Sequence, residues 1–332
     1  MLRIFGLIVG AGFLAYWIGK IGPLLILDNL IHLKWWSVAV LANSFLWYVC
    51  YTKAWKNYFS NLSHSIPFRH LLRIRICGEA VALSTPLGFM AGDPVRITLL
   101  QKQLGPETRM ESVVIDRALH TLAQLVFVLT GILVTFTQSV PIGAFLRWGL
   151  VGMYVALISA IAFFTVELLK GKAVKIVHSL LTRLHLVRWL PRLEGWVAEL
   201  DVGFSALGHS PFGGGKPPSG KPFALFSSFL YHFTGRILGA VEISLIFLYL
   251  DGRPHWILGI ILASFTAIVN LLFTFIPGAL GVLESMYGGF FYFYGLDPAV
   301  GVSMQLIRRL RALFWIAVGL WLLRRQHQPQ SL

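Results

Sequence analysis

Carboxylates and guanidiniums recur in complementary sets at two places in this 332-residue chain, and both places are otherwise apolar. Glu79 and Asp93 flank a Pro/Gly cluster, Arg96 follows Asp93 by one helical turn, and Asp116, Arg117 and His120 lie near the start of the next apolar run. At the second place Glu284 stands just past Pro277-Gly278-Ala279-Leu280-Gly281, and Arg308, Arg309 and Arg311 open the last apolar run. Three-residue spacing puts Arg308 and Arg311 on one helix face and turns Arg309 away. An ionisable group at membrane depth is costly unless it is paired or hydrated. Guanidinium forks and the free backbone N–H groups of half-helix ends suit a phosphate or carboxylate, while the acids balance the empty site or carry a proton. The candidate binding set is therefore Glu79, Asp93, Arg96, Arg117, His120, Glu284, Arg308 and Arg311. The competing reading is purely structural: Asp93 with Arg96, Asp116 with Arg117 or His120, and Glu284 with Arg308 as ion pairs holding helices together. His232 and Arg236, four apart with Glu242 on a different face, read as bundle contacts. No HExxH, GxSxG, CxxC or dinucleotide fingerprint occurs, so no catalytic residue, metal or cofactor is expected.

The elements that must carry these groups follow from composition. Hydrophobic residues make up 56% of the chain, charged residues 13%, and the mean hydropathy is +0.72, far from the roughly 25% charge of a soluble domain. Surface-to-volume scaling cannot hide that much apolar surface in a globule of this size, so an all-α polytopic membrane protein is expected. A span needs about 20 mainly apolar residues, and seven stretches qualify: 4–19, 36–55, 113–137, 145–168, 223–250, 256–276 and 300–323. Residues 76–104 and 271–296 are instead interrupted, by Pro86, Gly88 and Gly92 and by Pro277, Gly278 and Gly281. Proline removes a helical hydrogen bond and glycine loosens the backbone, so each is expected to form two half-helices, re-entrant and lining a cavity, since irregular backbone at membrane depth must be covered. Cys50 and Cys77 lie in apolar stretches and read as packing residues, and Gly235 with Gly239 suits close helix packing.

The net charge of +14 points to anionic headgroups and cytoplasmic loops before nucleic acid. Lys53, Lys56, Arg69, Arg73 and Arg75 form one basic loop, and Lys170, Lys172, Lys175, Arg183, Arg188 and Arg192 a second. With both broken segments re-entrant, Arg324 and Arg325 would fall outside, so either one broken segment crosses fully or the basic terminus lies outside, and the side of the C-terminus stays open. Residues 170–201 have the spacing of a basic amphipathic helix for the cytoplasmic leaflet, or of a solvated loop. After them comes GHSPFGGGKPPSGKP, a flexible linker in which nine of fifteen residues are Gly or Pro. The organisation is thus a first membrane half at 1–169, a basic segment and linker at 170–222, and a second membrane half at 223–332. A shift of 191 residues superposes Pro86 on Pro277, Asp93 on Glu284, Ser112 on Ser303, Arg117 on Arg308, and Glu79 on Asn270. Two copies of one unit, parallel or inverted, are expected, as in secondary transporters.

GEAVALSTPLGFMAGDPVRITLL, the arginine of VVIDRAL, IPGALGVLE and GLDPAVGVSMQLIRRLRALFWIAVGL together resemble the lysylphosphatidylglycerol synthase transmembrane, or flippase-like, family, with some similarity to its hopanoid-biosynthesis branch. The resemblance implies a multi-pass bacterial inner-membrane protein that handles phospholipid-like, hopanoid or polyprenyl amphiphiles. It places the polar motifs at Glu79, Pro86, Gly92, Asp93, Arg96, Arg117, Pro277, Gly278, Gly281, Glu284, Arg308 and Arg311. The chain ends at Leu332, just after its last apolar run, so the family's soluble aminoacyl-transferase activity is not expected of it. The leading expectation is translocation of an anionic or polyisoprenoid lipid through a polar cleft between the two broken helices. The alternatives are a membrane-embedded transferase with Glu79 or Asp93 as general base, and a scaffold that recruits a soluble lipid-modifying enzyme.

Overall fold

The computed structural model describes residues 19, 34–59, 66–85, 89–137, 148–149, 151–156, 158–159, 221–273 and 276–327. The expected span 4–19 apart from Gly19, most of 145–168, the amphipathic segment 170–201, the linker up to residue 220, and Pro86 and Gly88 lie outside these residues. Every regular element among the described residues is helical: α1 (Lys34–Tyr58), α2 (Phe68–Ser84), α3 (Phe89–Leu99), α4 (Pro106–Thr137), α5 (Lys221–Asp251), α6 (Trp256–Leu272), a 3-10 turn (Pro277–Ala279), α7 (Val282–Phe293) and α8 (Pro298–His327). Thr108–Thr137 and Phe223–Asp251 are long and apolar enough to cross a membrane. Large apolar side chains such as Leu133, Leu230, Leu271, Leu313, Phe314 and Trp321 face outward, a surface that water would penalise and lipid would not.

At the centre α1 and α5 run antiparallel. The Trp36 ring meets Tyr249, Asn43 donates to the Leu238 carbonyl at 2.8 Å, and Ser228 donates to the Ala54 carbonyl at 2.8 Å. Gly235 lies against the Tyr51 ring with no room for a Cβ, so this glycine sets the close approach. Gly239, its expected packing partner, faces open space.

Both interrupted segments are hairpins, built differently. In the first, α3 folds back on α2 where two glycines cross: a Cβ on Gly78 would lie 2.6 Å from Arg96 Cγ, and one on Gly92 would lie 2.9 Å from Ala82 Cβ. Gly92 thus serves the crossing inside α3 and not the break itself. Gly92→Val should overpack this crossing and cost about 1–3 kcal/mol, read as a lower midpoint for thermal loss of the monodisperse peak in detergent. An unshifted midpoint would show that the helices do not meet there. In the second segment Gly278, Ala279 and Gly281 all have positive φ (59°, 45° and 76°), a left-handed stretch that glycine enters freely and alanine only with strain. The chain reverses here, and α7 returns along α6: Thr266 Oγ1 sits 2.9 Å from Tyr287 OH, and the Phe265 and Phe290 rings pack at 5.7 Å.

α6 and α7 are therefore the two limbs of a hairpin, α6 leading in and α7 leading out. Helix α8 descends past α7, with Gly301 against the Tyr287 carbonyl, and then past α2, with Gly319 against the Ile76 carbonyl. Its C-terminal Arg324 and Arg325 accordingly share an end of the bundle with Lys53, Lys56, Arg69 and Arg73. Asp251, Arg253, His255 and Asp297 mark the opposite end.

Candidate functional site

Six helices, α1, α2, α4, α5, α6 and α8, line a partly open cavity of about 290 Å³ into which charged side chains reach. Its wall comes from Trp47, Tyr48 and Tyr51 of α1, Glu79 and Leu83 of α2, His120, Gln124 and Phe127 of α4, Gly235, Arg236 and Gly239 of α5, Ala263, Thr266, Ala267 and Asn270 of α6, and Arg308, Arg311, Ala312 and Trp315 of α8. On the four long helices these residues fall mid-length, so the cavity lies at mid-depth. The inward limbs of both hairpins, α2 and α6, reach it. The outward limbs α3 and α7 contribute none of its wall, so the cleft is not framed by the breaks as expected.

Behind one wall lies a buried ion network. Asp116 of α4 accepts Arg75 Nη2 at 2.8 and 2.9 Å, Arg96 Nη2 at 2.7 Å and His232 Nε2 at 3.1 Å. Asp93 accepts a two-pronged Arg117, at 2.9 Å from Nε and 2.7 Å from Nη2, and Arg96 Nη1 at 3.2 Å. Arg96 bridges the two acids, and its guanidinium stacks 4.0 Å over the Trp55 ring. A chain of rings connects Asp116 to the cavity. Arg236 Nη2 reaches His120 Nε2 and donates to Gln124 Oε1 at 2.6 Å, and His120 Nδ1 lies 3.3 Å from His232 Nδ1. Arginine can only donate, so His120 accepts at Nε2 and carries its proton on Nδ1. His232 then accepts at Nδ1 and donates from Nε2 to Asp116. Every proton in the chain points away from the cavity, and Arg236 is held facing it.

The second half has its own pairs. Glu242, fully buried on α5, accepts Arg308 Nε at 3.0 Å and faces Arg311 Nη1 at 3.3 Å. Arg308 Nη1 also donates to Tyr287 OH at 2.5 Å; Thr266 gives its own proton to the Leu262 carbonyl and so accepts from Tyr287. Arg311 stacks 4.4 Å over Trp47. Glu284 takes both prongs of Arg309 and, through Oε2, the Gly281 N–H at 2.7 Å. It thereby ties the reversal to α8, as a carboxylate near a helix N-terminus can.

Of the expected binding set, Glu79, His120, Arg308 and Arg311 line the cavity. Asp93, Arg96 and Arg117 gather beside it around Asp116, and Glu284 sits apart at the second reversal. Arg308 pairs with Glu242 and not with Glu284. Arg75, expected in a cytoplasmic loop, is 5% exposed and bound to Asp116. His232, Arg236 and Glu242, read from sequence as bundle contacts or left aside, belong to the polar layer; the i, i+4 pairs Asp116–His120 and His232–Arg236 were the available signal.

Within the described layer seven guanidiniums (Arg75, Arg96, Arg117, Arg236, Arg308, Arg309, Arg311) meet five carboxylates (Glu79, Asp93, Asp116, Glu242, Glu284), an excess of positive charge. Two members stand out. Arg236 has no carboxylate within 4 Å, and Glu79 has neither an ion pair nor a hydrogen bond with any described residue.

The family model described as the lysylphosphatidylglycerol synthase TM region matches residues 3–319. No curated protein and no solved structure matches the chain.

Proposed function

The chain belongs to the lysylphosphatidylglycerol synthase transmembrane family, and from that premise we propose that it translocates the polar head of an anionic or polyisoprenoid lipid across a bacterial inner membrane, as a multi-pass protein. Membership already makes it a membrane protein of lipid metabolism. A headgroup charge at the bilayer centre costs roughly 2.5–3.5 kcal/mol even on the most lenient scale. The one observation that carries the reading is a mid-depth cavity whose wall includes Arg236, Arg308 and Arg311. That wall lowers the cost for a phosphate while tails stay in lipid outside.

The same reading takes the two halves as inverted copies. Adding 191 to the bounds of α1–α4 gives 225–249, 259–275, 280–290 and 297–328, against 221–251, 256–272, 282–293 and 298–327 for α5–α8. Because α1 and α5 are counterparts under that shift and run antiparallel, the relation is an inversion. The cavity then lies where the copies meet, as transporter sites do. With Lys53, Lys56, Arg69, Arg73, Arg324 and Arg325 at one end, that end is cytoplasmic by the positive-inside rule.

Proteoliposomes carrying an acyl-labelled phosphatidylglycerol test the proposal through dithionite quenching of the exposed leaflet. The wild-type chain should equilibrate the label between leaflets. Arg308→Gln with Arg311→Gln should slow this about tenfold or more, as expected from losing charged hydrogen bonds. A folded double variant that moves the lipid at the wild-type rate would remove the basis for the proposal.

A further inference from the structure

We infer that the cavity selects a zwitterionic headgroup, a phosphodiester bearing one primary ammonium on a short linker, as in an ethanolamine phospholipid. The phosphate sits on Arg236 and the ammonium on Glu79. The inference rests on the reading above that this cavity receives the phosphate of a lipid head, and it replaces the purely anionic head by one that also carries an ammonium.

Four charged side chains face the space: Glu79, Arg236, Arg308 and Arg311. Arg308 and Arg311 are neutralised in part from behind by Glu242. Arg236 is held by His120 and Gln124, neither of which is a carboxylate, and Glu79 makes no hydrogen bond or ion pair within 4 Å with a described residue, its nearest opposite charges, Arg75, Arg117 and Arg311, acting on it only at longer range. The two do not pair with each other within 4 Å. A cavity that keeps one acid and one base apart and unpaired matches a ligand carrying both charges, each desolvated group receiving its complement. A purely anionic head would fill the arginines but leave Glu79 without a hydrogen-bonded cation.

A quaternary ammonium fits less well. It offers no N–H to Glu79 and is normally held on open aromatic faces. Here three of the wall rings already pack against a neighbour: Trp47 against Arg311 at 4.4 Å, Tyr51 against His120 at 4.9 Å, and Tyr48 against Trp315 at 4.9 Å. The volume of about 290 Å³ is at the lower edge of ligand pockets, which run from about 300 Å³ upward, so it suits a small head without its tails. One unpaired carboxylate accounts for one ammonium, not two.

The test is calorimetric titration of the full chain in detergent with glycerophosphoethanolamine, glycerophosphocholine and glycerophosphoglycerol, and with the dihexanoyl lipid of each. The ethanolamine probes should bind about tenfold tighter than the glycerol probes, the value of one charged hydrogen bond. Glu79→Gln should bring that ratio to about one, and Arg236→Gln should weaken all three heads. If only the dihexanoyl lipids bind, with the same Glu79 dependence, the lipid and not the free diester is the ligand, and the inference holds. It is overturned if glycerol and ethanolamine heads bind the wild type equally, if Glu79→Gln keeps the preference, or if no ethanolamine probe binds. These results separate from the vesicle assay: phosphatidylglycerol that crosses without any ethanolamine preference sinks this inference alone. A Glu79-dependent preference with no lipid crossing sinks translocation alone.

Discussion

Replacing Asp116 by alanine is expected to destabilise the bundle by about 3–5 kcal/mol, the cost of stripping one partner from a buried ion pair. Asp116 is the only carboxylate in hydrogen-bond contact with Arg75 among the described residues, and it shares Arg96 with Asp93. The Arg75, Arg96 and Asp116 side chains are 6%, 3% and 2% exposed, so water does not screen what is left behind. His232 would lose its acceptor as well, and with it the ring chain that holds Arg236. The measurement is the midpoint of thermal loss of the monodisperse species in detergent. A fall of roughly 10 °C is expected from the usual relation between stability and melting temperature in a chain of this size. Asp116→Asn, which keeps an acceptor and loses the charge, should fall in between. A variant that melts like the wild type would mean that Arg75 and Arg96 find other partners, and that the network around α2, α3 and α4 is not held by this acid.

Sequence spacing pairs Asp116 with Arg117 or His120, the partners that a single helix brings near. Helical periodicity places it one turn before His120, but its partners come from α2, α3 and α5, and Arg75 lies 41 residues away in sequence. Arg75 itself read as part of a basic loop because the start of α2 could not be fixed: the run Arg69, Arg73, Arg75 has no acid to mark where solvent ends. The helix starts at Phe68, and Arg75 is its eighth residue, already inside. The interruptions, by contrast, were legible. Pro and Gly act locally, so the two hairpins stand where the sequence placed breaks.

What local chemistry could not reveal was how far each break reverses the chain. Residues 256–276 have the length of a span, and only the left-handed turn at Gly278, Ala279 and Gly281 turns α6 into the limb of a hairpin. The 191-residue shift also predicts similar pairing in both halves, and there the charges differ. Arg117 takes Asp93, whereas Arg308, its counterpart, takes Glu242, because the first half has Tyr51 at the place where the second has Glu242. Likewise His120 occupies the place of Arg311. The shift of 191 residues matches positions and not charges, and the cavity gathers those differences at one site.

Glu242→Gln should have an effect nearly as large as the loss of Asp116, but one that a ligand can reverse. The fully buried carboxylate holds Arg308 at 3.0 Å and Arg311 at 3.3 Å, and removing its charge leaves two guanidiniums without an acid partner, a loss again of about 3–5 kcal/mol. Unlike Arg75 and Arg96, both arginines line the cavity, so a phosphate arriving there can supply the missing negative charge. Binding to the folded state adds stability as RT ln(1 + [L]/Kd), about 2.7 kcal/mol at a hundredfold excess over Kd. The expected result is a melting midpoint well below wild type in lipid-free detergent, raised by dihexanoyl phosphatidylglycerol by more degrees than the same lipid raises the wild type. Asp116→Ala, whose stranded arginines do not face the cavity, should show no such recovery. Adding Arg311→Gln to Glu242→Gln should restore part of the lost stability without lipid, since one fewer cation is left uncompensated. If lipid phosphate raises the Glu242→Gln midpoint no more than the wild-type midpoint, then Arg308 and Arg311 do not reach the ligand. The cavity would then be a packing defect between two sets of helices and not the place where a headgroup crosses.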